Sequence, residues 1–273
     1  MALGEGSPDP AAREEGPARR REARERQVVA NAEHLNRGLI REIEKLGDLG
    51  PWREALLAVP RHLFVPDVAY VSPDESDGYV IDRNTNPGEW LVAAYLDEAI
   101  ITQVDDGATP ITEAGAENTR FTSSASAPST VIAFLSLLGA RKGHNVLEIG
   151  TGTGWTAALL AAVVGDHNVT SVEIDPEVAR QAAERTLSAG YTPQLVAADG
   201  AEGFPGNAPY DRVHVTCGIE EIPPEWLAQT RPGGIIVAPY RKELASIVVH
   251  EDGDYTVKGY GRARFMMLRS QRG

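Results

Sequence analysis

An α/β fold, with a mostly parallel sheet covered by helices on both faces, is what this sequence predicts, and three observations predict it. From residue 126 onward, short apolar runs alternate with longer helical ones. The turn "GTGTGW" joins one such run to the next. Near the end the alternation gives way to two extended runs around "EDGD". Apolar strands separated by helices pack as a parallel sheet buried on both sides, and the final pair reads as an antiparallel hairpin completing it. Seven strands are expected.

The elements follow in order. Residues 1–20 are rich in Pro, Gly, Ala and charge, the composition of a disordered tail. Residues 21–66 form an N-terminal helical region. Val28, Ala32, Leu35, Leu39, Ile43 and Leu46 recur every three or four residues, and Gly47 and Gly50 end that stripe. "PWREALLAVPRHLFVP" then gives a second helix, with Pro51 suited to its start and Pro60 to its stop. Residues 67–125 form a loop-rich acidic region over the active site, "YVSPDESDGYVIDRNTNPGEW" being too broken for regular structure. The core spans 126–273. Its helices are "TVIAFLSLLG", "WTAALLAAVVG", "PEVARQAAERTLSAG" and a short "PPEWLAQT"; its strands are "NVLEIG", "VTSVEI", "QLVAA", "RVHVTC" and "GGIIVAPY", with the hairpin in "ASIVVHEDGDYTVKGYG".

Composition narrows the function. With 42% hydrophobic and 24% charged residues the chain buries a substantial core. It has no apolar run long enough to span a membrane and no apolar signal core, and Cys217 is its single cysteine. That combination fits a cytoplasmic protein, with Cys217 as a half-buried structural thiol. The net charge is −13, and between Asp74 and Thr119 eleven acids face one base, Arg83. Nucleic-acid binding needs a basic surface that displaces counterions, so DNA and RNA are disfavoured partners. The acidic stretch is either a solvated face or an attractor for a basic peptide. The six histidines lack metal-ligand spacing, and no metal is expected.

The stretch "VLEIGTGTGW" carries the chemistry. Gly150, Gly152 and Gly154 fall where a strand becomes a helix, the place where open α/β sheets bind ligands. A dinucleotide fingerprint needs a small residue where Trp155 stands, which counts against an NAD-dependent dehydrogenase. Glu148 precedes the loop, Glu173 ends the next strand and Asp199 the third. A carboxylate beside the loop suits a cationic ligand without phosphate; one after the second strand can accept two ribose hydroxyls, and one after the third an adenine amino group. These requirements point to S-adenosylmethionine (SAM), leaving S-adenosylhomocysteine (SAH) as product.

Several ordered motifs resemble the protein-L-isoaspartate O-methyltransferase family: "VPRHLFVP", "YLDEAI", "SASAPS", "VLEIGTGTGWTAALLA", "VEIDPEVA" and "AADGAEGFPGNAPYDRVHVTCGIEEIPPEWLAQTRPGG". The resemblance covers about residues 50–268 and implies a class I SAM-dependent methyltransferase, Rossmann-like, with an N-terminal helical extension. It places Ser126 at the family's active-site serine and Glu148, Gly150, Gly152, Glu173 and Asp199 at cofactor positions, with Thr151, Gly154, Ile174 and Gly200 beside them. Ser124 and Ser129 become candidate substrate contacts. Tyr95 and Asp97 either edge the peptide groove or hold structural hydrogen bonds, and Arg61 is expected to be an internal ion-pair partner.

Departures matter too. The family's histidine after Ser-Ala-Pro is Ser129 here, and the front region is enlarged. "WREALLAVPRHLFVP", "DEAIITQVDDG", "SSASAPS" and "RFMMLRSQR" resemble the branch associated with ribosomally made peptide maturation. That branch methylates an aspartate of a modified, macrocyclised precursor peptide; the ester collapses to an aspartimide and in some members opens to isoaspartate. A maturation-enzyme partner is then open, as is the oligomeric state. Many members continue into a C-terminal extension, absent or removed in a chain ending at Gly273. The alternatives are an isoaspartate repair enzyme acting on damaged proteins and an inactive SAM-binding recognition module. Ser126 is assigned orientation of a carboxylate rather than nucleophilic attack, because no G-x-S-x-G elbow surrounds it; capping the next helix is its other reading.

Overall fold

A computed structural model describes residues 17–272 apart from Glu75. The tail expected at 1–20 lies outside the described residues as far as position 16, and from Pro17 the chain is helical.

Helix α1 (Pro17–Glu44) packs its apolar stripe on α2 (Trp52–Ala58). Ala32, Leu39, Ile40 and Ile43 are buried there, while the stripe's ends, Val28 and Leu46, are exposed. Asn36 adds a buried bond, its Nδ2 donating to the Leu56 carbonyl at 2.9 Å. Pro51 occupies the N-cap of α2, and Pro60 follows its last turn.

The segment expected to be loops forms an antiparallel sheet. Strands β1 (Val68–Ser72), β2 (Tyr79–Asp82), β3 (Ala99–Val104) and β4 (Phe121–Ala125) pair in the order β2-β1-β3-β4, with helix α3 (Pro87–Ala93) between β2 and β3. Its core is small: Ala69, Val71, Ile81, Ile100 and Val104. Each strand is only four to six residues long and the connections between them are long and polar, so no long periodic run announces the sheet. Packing across strands holds it instead. A Cβ on Gly78 would sit 2.4 Å from the Tyr70 ring, so only glycine lets that ring lie flat against the turn.

After β4 the expected alternation unfolds: α4 (Pro128–Leu138), β5 (Val146–Ile149), α5 (Trp155–Val164), β6 (Val169–Glu173), α6 (Pro176–Ser188), β7 (Gln194–Ala197), β8 (Tyr210–Val215), α7 (Pro224–Gln229), β9 (Thr230–Tyr240), β10 (Glu243–Val249) and β11 (Tyr255–Arg262). The seven strands stand in the order β11-β10-β9-β8-β5-β6-β7. From β9 to β7 all pairings are parallel, and β9-β10-β11 are antiparallel, as the sequence predicts. The chain enters at β5, winds out to β7 and returns to β8. The carboxyl ends of β5 and β8 therefore border the switch point where such sheets open a crevice. One apolar layer joins α4, α5 and the N-terminal helices to the sheet, and a second, around Trp226, Val213 and Ile236, covers the other face.

Candidate active site

The crevice is a cavity at the carboxyl ends of β5, β6 and β8. Gly150 and Gly152 shape its floor. Gly150 has φ +90°, and a Cβ there would stand 2.4 Å from Thr216 Oγ1, whose hydroxyl donates to the Gly150 carbonyl at 2.6 Å. Gly152 has φ +54°, and its added Cβ would press on the Ser124 carbonyl at 3.3 Å. Side chains at either place would push the loop away from its neighbours. The stretch "TSSASAPS" is therefore no spacer: it is the end of β4 and the turn into α4, seated against the glycine loop.

Two of the three expected carboxylates face this cavity. Glu173 lines it, with Oε2 accepting from the Gly152 N–H at 2.9 Å and Oε1 from the Asp175 N–H at 3.2 Å. Burial pushes its carboxyl group above the usual range, against the pull of those backbone donors. Asp199 also lines the cavity; Oδ1 accepts from the Ala201 N–H at 2.9 Å, and Oδ2 keeps its lone pairs. Gly150, Thr151, Gly152, Ile174 and Gly200 complete this end, whereas Gly154 starts α5 and packs on Ala182 and Thr186.

Glu148 is the correction. It is fully buried and does not border the cavity. Side chains alternate along a strand, and residue 148 points into the sheet's α4 face, in register with Ser171 on β6 and His214 on β8. Ser171 Oγ donates to Glu148 Oε2 at 2.6 Å, and His214 Nδ1 lies 3.2 Å from Oε1. Thr151 Oγ1, on the cavity wall, is 2.6 Å from Ser171 Oγ. Glu148 thus braces the loop from behind the cavity wall.

Ser126 and Ser124 also line the cavity. Ser126 is not the helix cap, because α4 begins two residues later, at Pro128, with Ala127 at the N-cap. The capping acceptor comes from elsewhere in the chain: Asp97 Oδ1 takes the Ser129 N–H at 2.8 Å. Asp97 and Ser129 thereby secure the first turn of α4, and neither borders the cavity. Tyr95 is also off the wall, its hydroxyl 2.6 Å from His62 Nδ1, and burial holds that imidazole down to about 4. Ser126 Oγ makes no hydrogen bond among the described residues, so its hydroxyl is left for the cavity. Arg61 departs from the expected ion pair: it donates to carbonyls, two of them those of Ala125 and Ser126.

The sequence reading missed part of the wall. Phe265, Met266, Leu268, Arg269 and Arg272 close the cavity, held by Gly218 N–H to the Met266 carbonyl at 2.8 Å and Leu268 N–H to the Gly218 carbonyl at 2.9 Å. Nothing periodic in "RFMMLRSQR" shows that it returns to the cavity. His214 was missed as well; its signal was a polar residue inside the apolar run "RVHVTC". Cys217 is a half-buried wall residue, and burial pushes its thiol up to about 12, which suits the structural reading. No described helix is long and apolar enough to cross a membrane.

Comparison with known proteins agrees with this geometry. The profile described as protein-L-isoaspartate(D-aspartate) O-methyltransferase matches residues 36–273. The chain is 33% identical over 245 residues to the protein-L-isoaspartate O-methyltransferase of Methanopyrus kandleri, covering 85% of this chain and 92% of that protein. It is 30% identical over 256 residues to that of Methanosarcina mazei, covering 92% and 89%. A solved protein-L-isoaspartate O-methyltransferase superposes with a TM-score of 0.64 at 26% identity, over 85% of this chain and 65% of that one. A Plasmodium falciparum structure of the same designation, in complex with S-adenosyl-L-homocysteine, shares the fold with a TM-score of 0.61 at 14% identity, over 88% and 99%. The fold is that of class I SAM-dependent methyltransferases. The chain belongs to the protein-L-isoaspartate(D-aspartate) O-methyltransferase family and is a SAM-dependent carboxyl methyltransferase.

Proposed function

We propose that this enzyme methylates the free carboxyl group of isoaspartyl residues in damaged proteins. One observation carries the reading: a single cavity is lined by Glu173, Asp199 and Ser126, whose hydroxyl is left unspent. The names borne by the relatives supply the substrate class. They favour this reading over the peptide-maturation role expected from the branch resemblance, of which neither of these two names speaks.

The residues present fit SAM. Glu173 keeps lone pairs for ribose hydroxyls after accepting its two backbone N–H groups, Asp199 has one oxygen free for an adenine amino group, and Gly150 and Gly152 leave room for backbone approach. Bound there, SAM supplies an electrophilic methyl group on a sulfonium. The protein's task is alignment. The free group of an isoaspartyl residue is its α-carboxyl, with a reference pKa of about 3.3–3.7, so the acceptor is ionised near neutrality and needs no general base. Ser126 donates to one carboxylate oxygen and leaves the other free to attack. Val131, Phe134 and Phe265 exclude water from that oxygen. Alignment of this kind is worth on the order of 7–11 kcal/mol.

The test is methyl transfer from labelled SAM to an isoaspartyl peptide, with its aspartyl twin as control and SAH binding measured separately. Turnover confined to the isoaspartyl peptide is expected. Tight SAH binding with no turnover on either peptide would overturn the reading and favour a dedicated, pre-modified peptide.

A further inference from the structure

Arg61 is sealed from solvent, 0% exposed, and forms no ion pair among the described residues. Its guanidinium instead donates to five backbone carbonyls. Nη1 reaches Ala94 at 3.2 Å and Leu96 at 3.0 Å; Nη2 reaches Glu98 at 2.9 Å, Ala125 at 3.0 Å and Ser126 at 3.0 Å. Nε is buried without a partner. The guanidinium carbon lies 5.5 Å from the centre of the Trp155 ring, and Trp155 opens α5 directly after the glycine loop while its Nε1 donates to the Val59 carbonyl at 3.1 Å.

One cation therefore binds three parts of the site together: the 94–98 turn that delivers Asp97 to the start of α4, the end of β4 that carries Ser126, and the helix behind the cofactor loop. Burying a guanidinium without a counter-ion costs several kcal/mol, which carbonyl dipoles offset only in part. Burial holds its pKa down to about 10, with the field of Asp97 working the other way. A hydrophobic residue in this place would avoid the penalty. Such departures from cheap packing concentrate where function requires them.

We infer that Arg61 is a positioning residue for methyl transfer: it fixes the Ala125–Ser126 turn so that Ser126 Oγ meets the acceptor. The inference rests on the role proposed for Ser126. Arg61 touches neither substrate nor cofactor and acts through the turn. Lysine keeps the charge but cannot span five carbonyls with a planar fork.

The experiment is a double-mutant cycle of Arg61→Lys and Ser126→Ala, reading kcat, acceptor KM and SAH affinity. Arg61→Lys is expected to lower kcat by about 10- to 100-fold, the span of one or two kcal/mol or slightly more, with SAH affinity unchanged within about twofold, well under one kcal/mol. In the Ser126→Ala background the same change should add little. Equal losses in both backgrounds, or SAH affinity falling in step with kcat, would overturn the inference. If Ser126→Ala itself costs nothing, the fault lies with the proposed function. A crystal structure of Arg61→Lys with SAH needs no acceptor and keeps the two apart: a displaced Ser126 turn supports the inference, and an unmoved one sinks it whatever the substrate. Should that variant fail to fold, Trp155→Phe, which loosens the guanidinium's seat, takes its place in the crystal, where a displaced Ser126 turn is again the expected outcome and an unmoved one sinks the inference.

Discussion

Asp106 and Arg272 grip each other beside the cavity that Arg272 lines, Arg272 Nη1 donating to both carboxylate oxygens at 2.8 and 3.0 Å. Arg269 Nη2 adds a third bond to Asp106 Oδ1 at 2.8 Å. Asp106 sits at φ +54°, left-handed backbone that a non-glycine residue adopts at a cost, and its N–H is held by Thr122 Oγ1 at 3.1 Å. The acidic front sheet is thus buckled to the C-terminal segment, and both guanidinium groups line the cavity.

Breaking that buckle should loosen ligand retention more than the fold. Asp106 and Arg269 are well exposed, so Asp106→Asn should cost under about 1 kcal/mol of stability. SAH dissociation, followed by stopped-flow, should quicken about three- to tenfold, a change of roughly one kcal/mol, and the wild-type rate should approach the variant's in high salt. An unchanged dissociation rate would mean that the buckle does not gate the cavity.

Ser126→Ala tests the unspent hydroxyl on the cavity wall. Loss of one hydrogen bond to a charged group is worth about 1.5–3 kcal/mol, so kcat should fall about 10- to 150-fold. Calorimetric SAH affinity should stay as in the wild type, because Ser126 makes no bond to the glycine loop or to Glu173. Ser124→Ala should be the milder variant.

Glu173 predicts a pH dependence of cofactor binding. Burial raises its folded-state pKa. The ionised form is the acceptor for ribose hydroxyls, so SAH affinity should weaken as pH falls, beginning above the ordinary glutamate value of about 4.3. Without ligand the sign reverses: the folded state holds the proton more tightly than the unfolded one, and stability declines as pH rises through that window. Glu173→Gln should flatten both slopes and weaken SAH by about tenfold or more at pH 7, the loss of one or two charge-assisted bonds. Titration calorimetry across pH 4–8 checks it, and a pH-independent wild-type affinity would contradict it.

His62 titrates in a different window. Burial, aided by the Arg83 charge, lowers its pKa from 6.5 to about 4, so the folded state binds fewer protons than the unfolded state between those values. Stability should therefore rise with pH across that window and be lost as pH falls through it. The side chain is only part-buried, so solvent screens much of the effect. His62→Gln should reduce the slope of Tm against pH between 4 and 6.5, and an unaltered slope would assign it to other groups.

How much was legible in the sequence differs by element. The strand–helix alternation after residue 126 was plain because short valine-, isoleucine- and leucine-rich runs are separated by longer helix-forming segments. The glycine loop, Glu173 and Asp199 were legible because a strand end in a parallel sheet fixes where its next residue must lie. Ser126 was reached through the resemblance of "SASAPS", and its freedom from capping was not. Local pattern could not reveal that Asp97, distant in sequence, caps α4, since a carboxylate's partner depends on where the chain returns.

By itself, then, the sequence determined the layered core, its chain direction and the residue types at the cavity's cofactor end, all set by short-range periodicity and by strand ends. Only the tertiary structure decided that residues 67–125 form a sheet, that Glu148 turns inward to Ser171 and His214, that Arg61 is shared among five carbonyls, and that the C-terminal arginines meet Asp106. Each of these depends on register, or on contacts between segments far apart in the chain. A one-residue shift in strand pairing sends a side chain to the other face of the sheet, and no local pattern of amino acids encodes that choice.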